Sequence, residues 1–161
     1  MEMRIKATEP AAFFPLFVDM RGEKVLVLGG GKVAERRIQI LLPFGAVITV
    51  ISPAASAYIA QAAAQGTVRL LARKYESGDI TNLRPFLVVA ATDERQANDE
   101  ARREAVRLGI PVSVADAREG CTCCFPALAE SKAYIAGLIS KNNDHAGVRR
   151  MAKKIRELLG E

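Results

Sequence analysis

The chain has 161 residues, enough for one domain with a small appendage and too few for two large ones. Half of the residues are hydrophobic, a quarter are charged and tryptophan is absent, which excludes a disordered chain and leaves Ala, Val, Leu and Ile to fill the core. The net charge of +5 admits a polyanionic partner without selecting one, and no apolar run reaches the roughly 20 residues of a membrane span.

The first ten residues mix both signs of charge and lack an apolar signal core. Phe14 to Val18 reads as an extended piece, and Lys24 to Leu28 as a strand that ends on three glycines. A helix is expected from Val33 to about Leu42, with Val33, Ile38, Leu41 and Leu42 on its apolar face and Pro43 and Gly45 closing it. Val47 to Ile51 is β-branched throughout and predicts a strand, and Pro53 is placed to open a helix running to about Gln65. Val68 to Leu71 predicts a third strand, with a helical turn near Asp79 to Leu83 in the connection that follows. Phe86 to Ala91 predicts a fourth, after which Thr92 or Asp93 caps a polar helix to Leu108. Pro111 to Ala115 predicts a fifth strand.

Strands alternating with helices make βαβ units, and right-handed crossovers then impose a parallel sheet covered on both faces. The expected fold class is therefore α/β, a Rossmann-type doubly wound parallel sheet over residues 1–117. Beyond it the alternation breaks. Phe125 to Leu128 and Ala133 to Ser140 read as two strands and Val148 to Leu159 as a basic amphipathic helix, so 118–161 is expected to be a small C-terminal β/α dimerisation segment.

Gly29-Gly30-Gly31-Lys32-Val33-Ala34 is a G-x-G-x-x-A form of the dinucleotide fingerprint, standing after a strand and opening a helix. Gly29 makes the tight turn, Gly31 lets the backbone approach a pyrophosphate, and Ala34 is small enough for helix to pack on strand. The unpaired N–H groups and partial positive charge of the helix amino terminus then face the phosphates. A carboxylate that would hold the ribose is missing at the end of the second strand, where Ser52 stands instead and can hydrogen-bond a ribose hydroxyl, though more weakly. No arginine stands there either, so these residues leave NAD and NADP both open.

Ligands bind such sheets beyond the carboxyl ends of the strands, where the order reverses. That puts Thr92 and Asp93 beside the glycine turn as cofactor-binding candidates, and Asp116, after the fifth strand, at the same crevice. Asp116 either takes a proton there or caps the following turn.

Pro15 to Met20, Arg21-Gly22, Val25 to Arg37, Ala90-Ala-Thr-Asp93, Val114-Ala-Asp116-Ala and the stretch from Cys121 to Phe125-Pro126-Ala127 together resemble the dehydrogenase part of siroheme synthases, the precorrin-2 dehydrogenase and sirohydrochlorin ferrochelatase family. The likeness spans nearly the whole chain. It implies an enzyme that uses NAD to oxidise precorrin-2, a tetrapyrrole, to sirohydrochlorin, with iron insertion in some members. A cytoplasmic location is expected from the amino terminus and the cysteines, and a homodimer from the two strands after the parallel sheet, which have little sheet of their own to join. Neither nucleic acid nor a membrane is expected as a partner. Asp116 matches the family's catalytic aspartate. Ser140, Lys141, Arg149 and Arg150 are candidates to meet the carboxylates of the substrate.

The sequence departs from the family pattern in three places. A Ser-x-Gly-Gly-x-Ser-Pro turn is replaced by Ser140-Lys-Asn-Asn-Asp-His-Ala146, the helical domain expected after Glu161 is absent or reduced to one helix, and Cys123 and Cys124 stand where larger apolar residues are expected. The C-x-C-C spacing of the three cysteines is not that of a zinc site, and their crowding is not that of a secreted disulfide framework, so structural thiols and no metal are expected. Two other readings use the same glycine turn or the same likeness: a non-catalytic NAD-sensing regulatory module, and a truncated tetrapyrrole-binding homologue.

Overall fold

A computed structural model describes residues 13–115, 120–142 and 144–160. They fall into two compact units, one formed by Val18–Cys123 and the other by residues 13–17 with 124–160.

The first unit is a five-stranded parallel sheet in the order β3-β2-β1-β4-β5, formed by β1 (Lys24–Leu28), β2 (Val47–Ile51), β3 (Arg69–Leu71), β4 (Leu87–Ala90) and β5 (Val112–Val114). Consecutive strands β3 and β4 are not neighbours. The chain returns across the sheet between them, so the order reverses between β1 and β4 as the alternation of elements requires. Register runs Val27↔Val50 on one side of β1 and Val27↔Val89 on the other. The strands β1, β2, β4 and β5 are largely buried on both faces, which explains why they read as continuous rather than alternating apolar runs, while edge strand β3 is only partly covered.

Helix α1 (Lys32–Leu41) buries Ala34, Ile38 and Leu41, at the i, i+4, i+7 spacing of one face. Val33 was expected on that face; it is 46% exposed, because the close seat of Ala34 on the sheet sets the helix phase and turns Val33 outward. A short 3-10 turn over Leu42–Phe44 follows and Gly45 ends it in the left-handed region. Helix α2 spans Ala57–Ala64. Pro53 does not open it: Ser56 does, its hydroxyl accepting the Ile59 N–H at 3.3 Å, while residues 52–55 form a loop with work of its own. Helix α3 (Asp79–Leu83) matches the expected turn.

Helix α4 (Arg95–Arg107) starts at Glu94 without a side-chain cap. Thr92 and Asp93 were expected to cap it, but the Thr92 hydroxyl is drawn into the turn after β4 and accepts the Glu94 N–H at 3.2 Å. Residues 14–18 carry no regular secondary structure, and Phe14, Leu16 and Phe17 are exposed.

Beyond β5, residues 120–123 run back along its free edge. Thr122 N–H donates to the Val112 carbonyl at 2.9 Å, the Thr122 hydroxyl accepts the Val112 N–H at 2.8 Å, and the Cys121 sulfur accepts the Val114 N–H at 3.1 Å. The segment thereby occupies backbone groups that an edge strand otherwise presents to another chain. Cys121 also packs on the core cluster of Leu26, Leu28, Val88, Ala101 and Val112.

The second unit holds an antiparallel hairpin of β6 (Ala127–Glu130) and β7 (Ile135–Leu138) with helix α5 (His145–Leu159) on β6. Both strands sit later or end earlier than expected, since Ser131 N–H pairs with the Tyr134 carbonyl at 2.8 Å and its hydroxyl receives the Tyr134 N–H, which fixes the turn. The helix begins three residues before Val148 because Asp144 caps it, accepting the Gly147 N–H at 2.7 Å. Arg156 ties helix to hairpin by donating to the Leu128 carbonyl at 2.8 Å, beside buried Ala129 and Ala152.

Candidate dinucleotide site

The glycine turn joins β1 to α1, and each of its three glycines has a different reason to be there. Gly29 sits at φ +102°, and a Cβ on it would stand 2.3 Å from the Ala91 carbonyl oxygen, so the turn is pressed against the end of β4. A Cβ on Gly30 would stand 2.1 Å from the Ala54 carbonyl oxygen and 2.9 Å from the Ala55 Cα, in the loop after β2. Gly31 has ordinary extended backbone, φ −84° and ψ −171°, and its missing Cβ would meet nothing within 4 Å. Two glycines therefore serve packing inside the protein, and the third opens outward.

That outward-facing residue is the N-cap of α1 and carries no side-chain cap. The first N–H groups of a helix lack intrahelical partners, and together with the helix dipole they favour an anion. Lys32 and Val33, in the first turn, are exposed, while Ala34 is fully buried against the sheet. An uncapped helix start beneath a glycine without a side chain is the cradle a pyrophosphate needs.

The loop after β2 is fastened to this turn. Ser56 N–H donates to the Gly30 carbonyl at 2.8 Å, and the Ser52 hydroxyl donates to the Ala54 carbonyl at 2.6 Å. Ser52, the candidate ribose ligand, is 7% exposed and its proton is committed to shaping this loop.

After β4, the candidate Thr92 is organised by a residue the sequence reading did not single out. Asn98, 1% exposed on α4, accepts the Thr92 N–H at 3.0 Å and the Thr92 hydroxyl at 2.7 Å, and returns its own amide N–H to the Thr92 carbonyl at 2.9 Å. Thr92 thus shapes the crevice wall, and Asp93 beside it is exposed. Asn98 could have been found as a polar residue on the stripe Asn98, Ala101, Ala105 that buries α4.

A second strap crosses the same end of the sheet. In the connection from β3 to α3, Arg73 grips both oxygens of Asp79 at 2.7 Å each, and Lys74 pairs with Glu94 beyond β4. Tyr75 donates to buried Glu104 at 2.5 Å. The Arg73 guanidinium holds the Asp79 carboxyl below its usual range even though burial acts the other way. Burial of the Tyr75 hydroxyl and its bond to Glu104 push its pKa upward.

Asp116, the candidate catalytic group, lies outside the described residues. The substrate candidates belong to the second unit. The Ser140 hydroxyl accepts the Asn142 and Asp144 N–H groups at 3.0 and 2.8 Å, Lys141, Arg149 and Arg150 are exposed, and Arg150 lies 3.9 Å from Asp144. Cys121, Cys123 and Cys124 are half-buried and form no disulfide. A cavity of about 650 Å³ opens at the amino ends of β1 to β3, between Lys24, Val47, Arg69 and Leu83. It lies at the end of the sheet away from the glycine turn and takes no part in this site.

A family model described as "Putative NAD(P)-binding" matches residues 16–127. The chain belongs to this NAD(P)-binding family. It is also 41% identical over 146 residues to the "Probable multifunctional siroheme biosynthesis protein HemA" of Ruminiclostridium josui, covering 90% of this chain and 28% of that protein. A siroheme synthase of Methylococcus capsulatus is 40% identical over 116 residues, 72% of this chain and 24% of its own length. The chain thus spans only about a quarter of these relatives. Among solved structures, "SirC, precorrin-2 dehydrogenase" superposes with a TM-score of 0.75 at 26% identity, covering 91% of this chain and 71% of that one. The Rossmann-type α/β fold and the NAD(P)-binding character expected from the glycine turn are both borne out. Among the described residues no helix is long and apolar enough to cross a membrane.

Proposed function

We propose that this chain oxidises precorrin-2 to sirohydrochlorin with NAD in siroheme biosynthesis, working in the cytoplasm. The observation that carries the reading is the outward-facing Gly31 at an uncapped helix start, in a chain similar to siroheme synthases and to a precorrin-2 dehydrogenase of known structure.

Bound at the glycine turn, NAD supplies the hydride acceptor. Gly31, Lys32 and Val33 hold the pyrophosphate through backbone N–H groups, and Ala34 keeps α1 close enough to the sheet for them to converge. Thr92, fixed by Asn98, holds the wall of the crevice beside the end of β4. Oxidation removes a hydride and a proton from the substrate, so one base is required, and Asp116 is that base in this reading. Ser140, Lys141, Arg149 and Arg150 meet the substrate carboxylates; exposed cations lose little solvation on pairing with them.

Anaerobic turnover of precorrin-2 with NAD⁺ tests the reading. Asp116→Asn is expected to lower kcat by about a hundredfold or more, the usual share of a general base, with NAD⁺ affinity unchanged. Wild-type protein that binds NAD⁺ and yields no sirohydrochlorin contradicts the dehydrogenase.

We propose in addition that the chain is a homodimer joined through its second unit. A two-stranded sheet is marginal alone, and Ile135 of β7 is exposed together with Tyr134 and Ile139, which flank that strand. Equilibrium sedimentation at micromolar concentration is expected to give twice the chain mass; a monomer there refutes the proposal.

A further inference from the structure

Dinucleotide folds read the ribose 2′-position at the end of the second strand. A carboxylate there takes the 2′-hydroxyl and repels a 2′-phosphate, and a nearby arginine accepts that phosphate. In this chain the five residues after β2, Ser52-Pro-Ala-Ala-Ser56, carry no charge at all.

Among the described residues, Arg73 is a cation that the end of β3 brings beside this loop. The Leu71 carbonyl at the end of β3 accepts both the Ser52 N–H, at 3.1 Å, and the Arg73 N–H, at 2.8 Å. The Arg73 guanidinium is nevertheless committed: it forms the two-pronged pair with Asp79 and also donates to the Lys74 carbonyl at 2.9 Å. Asp79 is itself held in place, since it accepts the Glu76 N–H at 2.9 Å and is only 8% exposed. The next cation, Lys74, is neutralised by Glu94. Asp93 and Glu94 stand beyond β4, which β1 separates from β2 in the sheet. Ala54, on this loop, is exposed and small, and its side chain offers neither charge nor bulk at the end of β2.

We infer that the site discriminates little between NAD and NADP, because the loop after β2 offers neither a carboxylate to exclude the 2′-phosphate nor a cation free to recruit it, Arg73 being withheld by Asp79. The inference rests on the glycine turn being a dinucleotide site. Asp79 is on this argument a positioning residue for cofactor choice, acting through Arg73.

Titration calorimetry of the full chain with NAD⁺ and with NADP⁺ tests it. The two dissociation constants are expected to lie within about tenfold of each other, a difference of no more than about 1.4 kcal/mol. Ala54→Asp is expected to weaken NADP⁺ by about tenfold and Ala54→Arg to tighten it by a similar factor, each with NAD⁺ moved less than about threefold. Dissociation constants that differ by about a hundredfold or more in wild type overturn the inference and leave the dinucleotide site standing. Ala54 variants that move both cofactors equally also overturn it, since the loop then does not face the 2′-position. Wild-type protein that binds neither cofactor overturns the site itself.

Discussion

Gly30→Ala is expected to destabilise the protein by about 3 kcal/mol and to abolish dinucleotide binding, whereas Gly31→Ala loses binding with less than about 1 kcal/mol of stability. The two positions are adjacent in sequence and opposite in what surrounds them. A methyl group on Gly30 would overlap the Ala54 carbonyl, at 2.1 Å, and that carbonyl cannot retreat cheaply. The Ser52 hydroxyl holds it, and the Ser56 N–H on the Gly30 carbonyl holds the loop as a whole. Relief therefore means separating the β2 loop from the glycine turn. On Gly31 the same methyl meets nothing within 4 Å, in backbone that any residue adopts. Its only cost is to a ligand that must come close to that Cα. Urea unfolding and NAD⁺ titration on the two variants separate the effects. A Gly31→Ala protein that binds NAD⁺ as wild type does would mean that no phosphate sits at the start of α1.

The residues that made the fold legible are those whose local chemistry and tertiary role coincide. The β-branched run Val47–Ile51 is a strand by propensity and also by position, paired on both sides in the sheet. Gly29 was readable as a tight turn because the left-handed region it occupies is a backbone property. Gly30 was not readable as anything but a spacer, because what forbids a side chain there is a carbonyl brought in from residue 54. Pro53 misled for a similar reason. Proline suits a helix start, yet the loop it lies in is needed against the glycine turn, and Ser56 supplies the cap three residues later. Asn98 and Glu104 lie in a helix so polar that their burial is hidden from composition, although they share a stripe with Ala101 and Ala105. The candidates placed at the strand ends divide likewise: the glycine turn leaves an uncapped helix start open, while the hydroxyls of Ser52 and Thr92 bond to Ala54 and Asn98 and shape the loops they lie in.

Glu104→Gln is expected to cost about 3 kcal/mol at pH 7, with the deficit shrinking as the pH falls below the carboxylate range. Each Glu104 oxygen receives two donors: Oε1 the Thr81 N–H at 2.9 Å and the Thr81 hydroxyl at 2.7 Å, Oε2 the Tyr75 hydroxyl at 2.5 Å and the Gly78 N–H at 3.1 Å. Glutamine keeps one acceptor and turns an NH2 toward the other pair. In either orientation that NH2 faces a backbone N–H, of Thr81 or of Gly78, that cannot rotate away, so donor is set against donor in a buried place. Burial by itself would raise the Glu104 carboxyl, but the bonds from Tyr75, Thr81 and Gly78 outweigh it and hold the group below its usual range. A carboxyl depressed in the folded state stabilises fully above its unfolded pKa, because the unfolded chain takes up the proton first as the pH falls. That contribution is lost as the pH drops through the folded value. Asp79, depressed by Arg73, titrates in the same direction in both proteins and cancels in the comparison. Urea unfolding of wild type and Glu104→Gln is therefore expected to show a constant gap from neutral pH down to about pH 5 and a narrowing one below about pH 4.5. A gap that holds or widens in acid would mean that Glu104 is not ionised in the folded protein. The strap that carries Arg73, Lys74 and Tyr75 across the crevice would then be held by something other than this carboxylate.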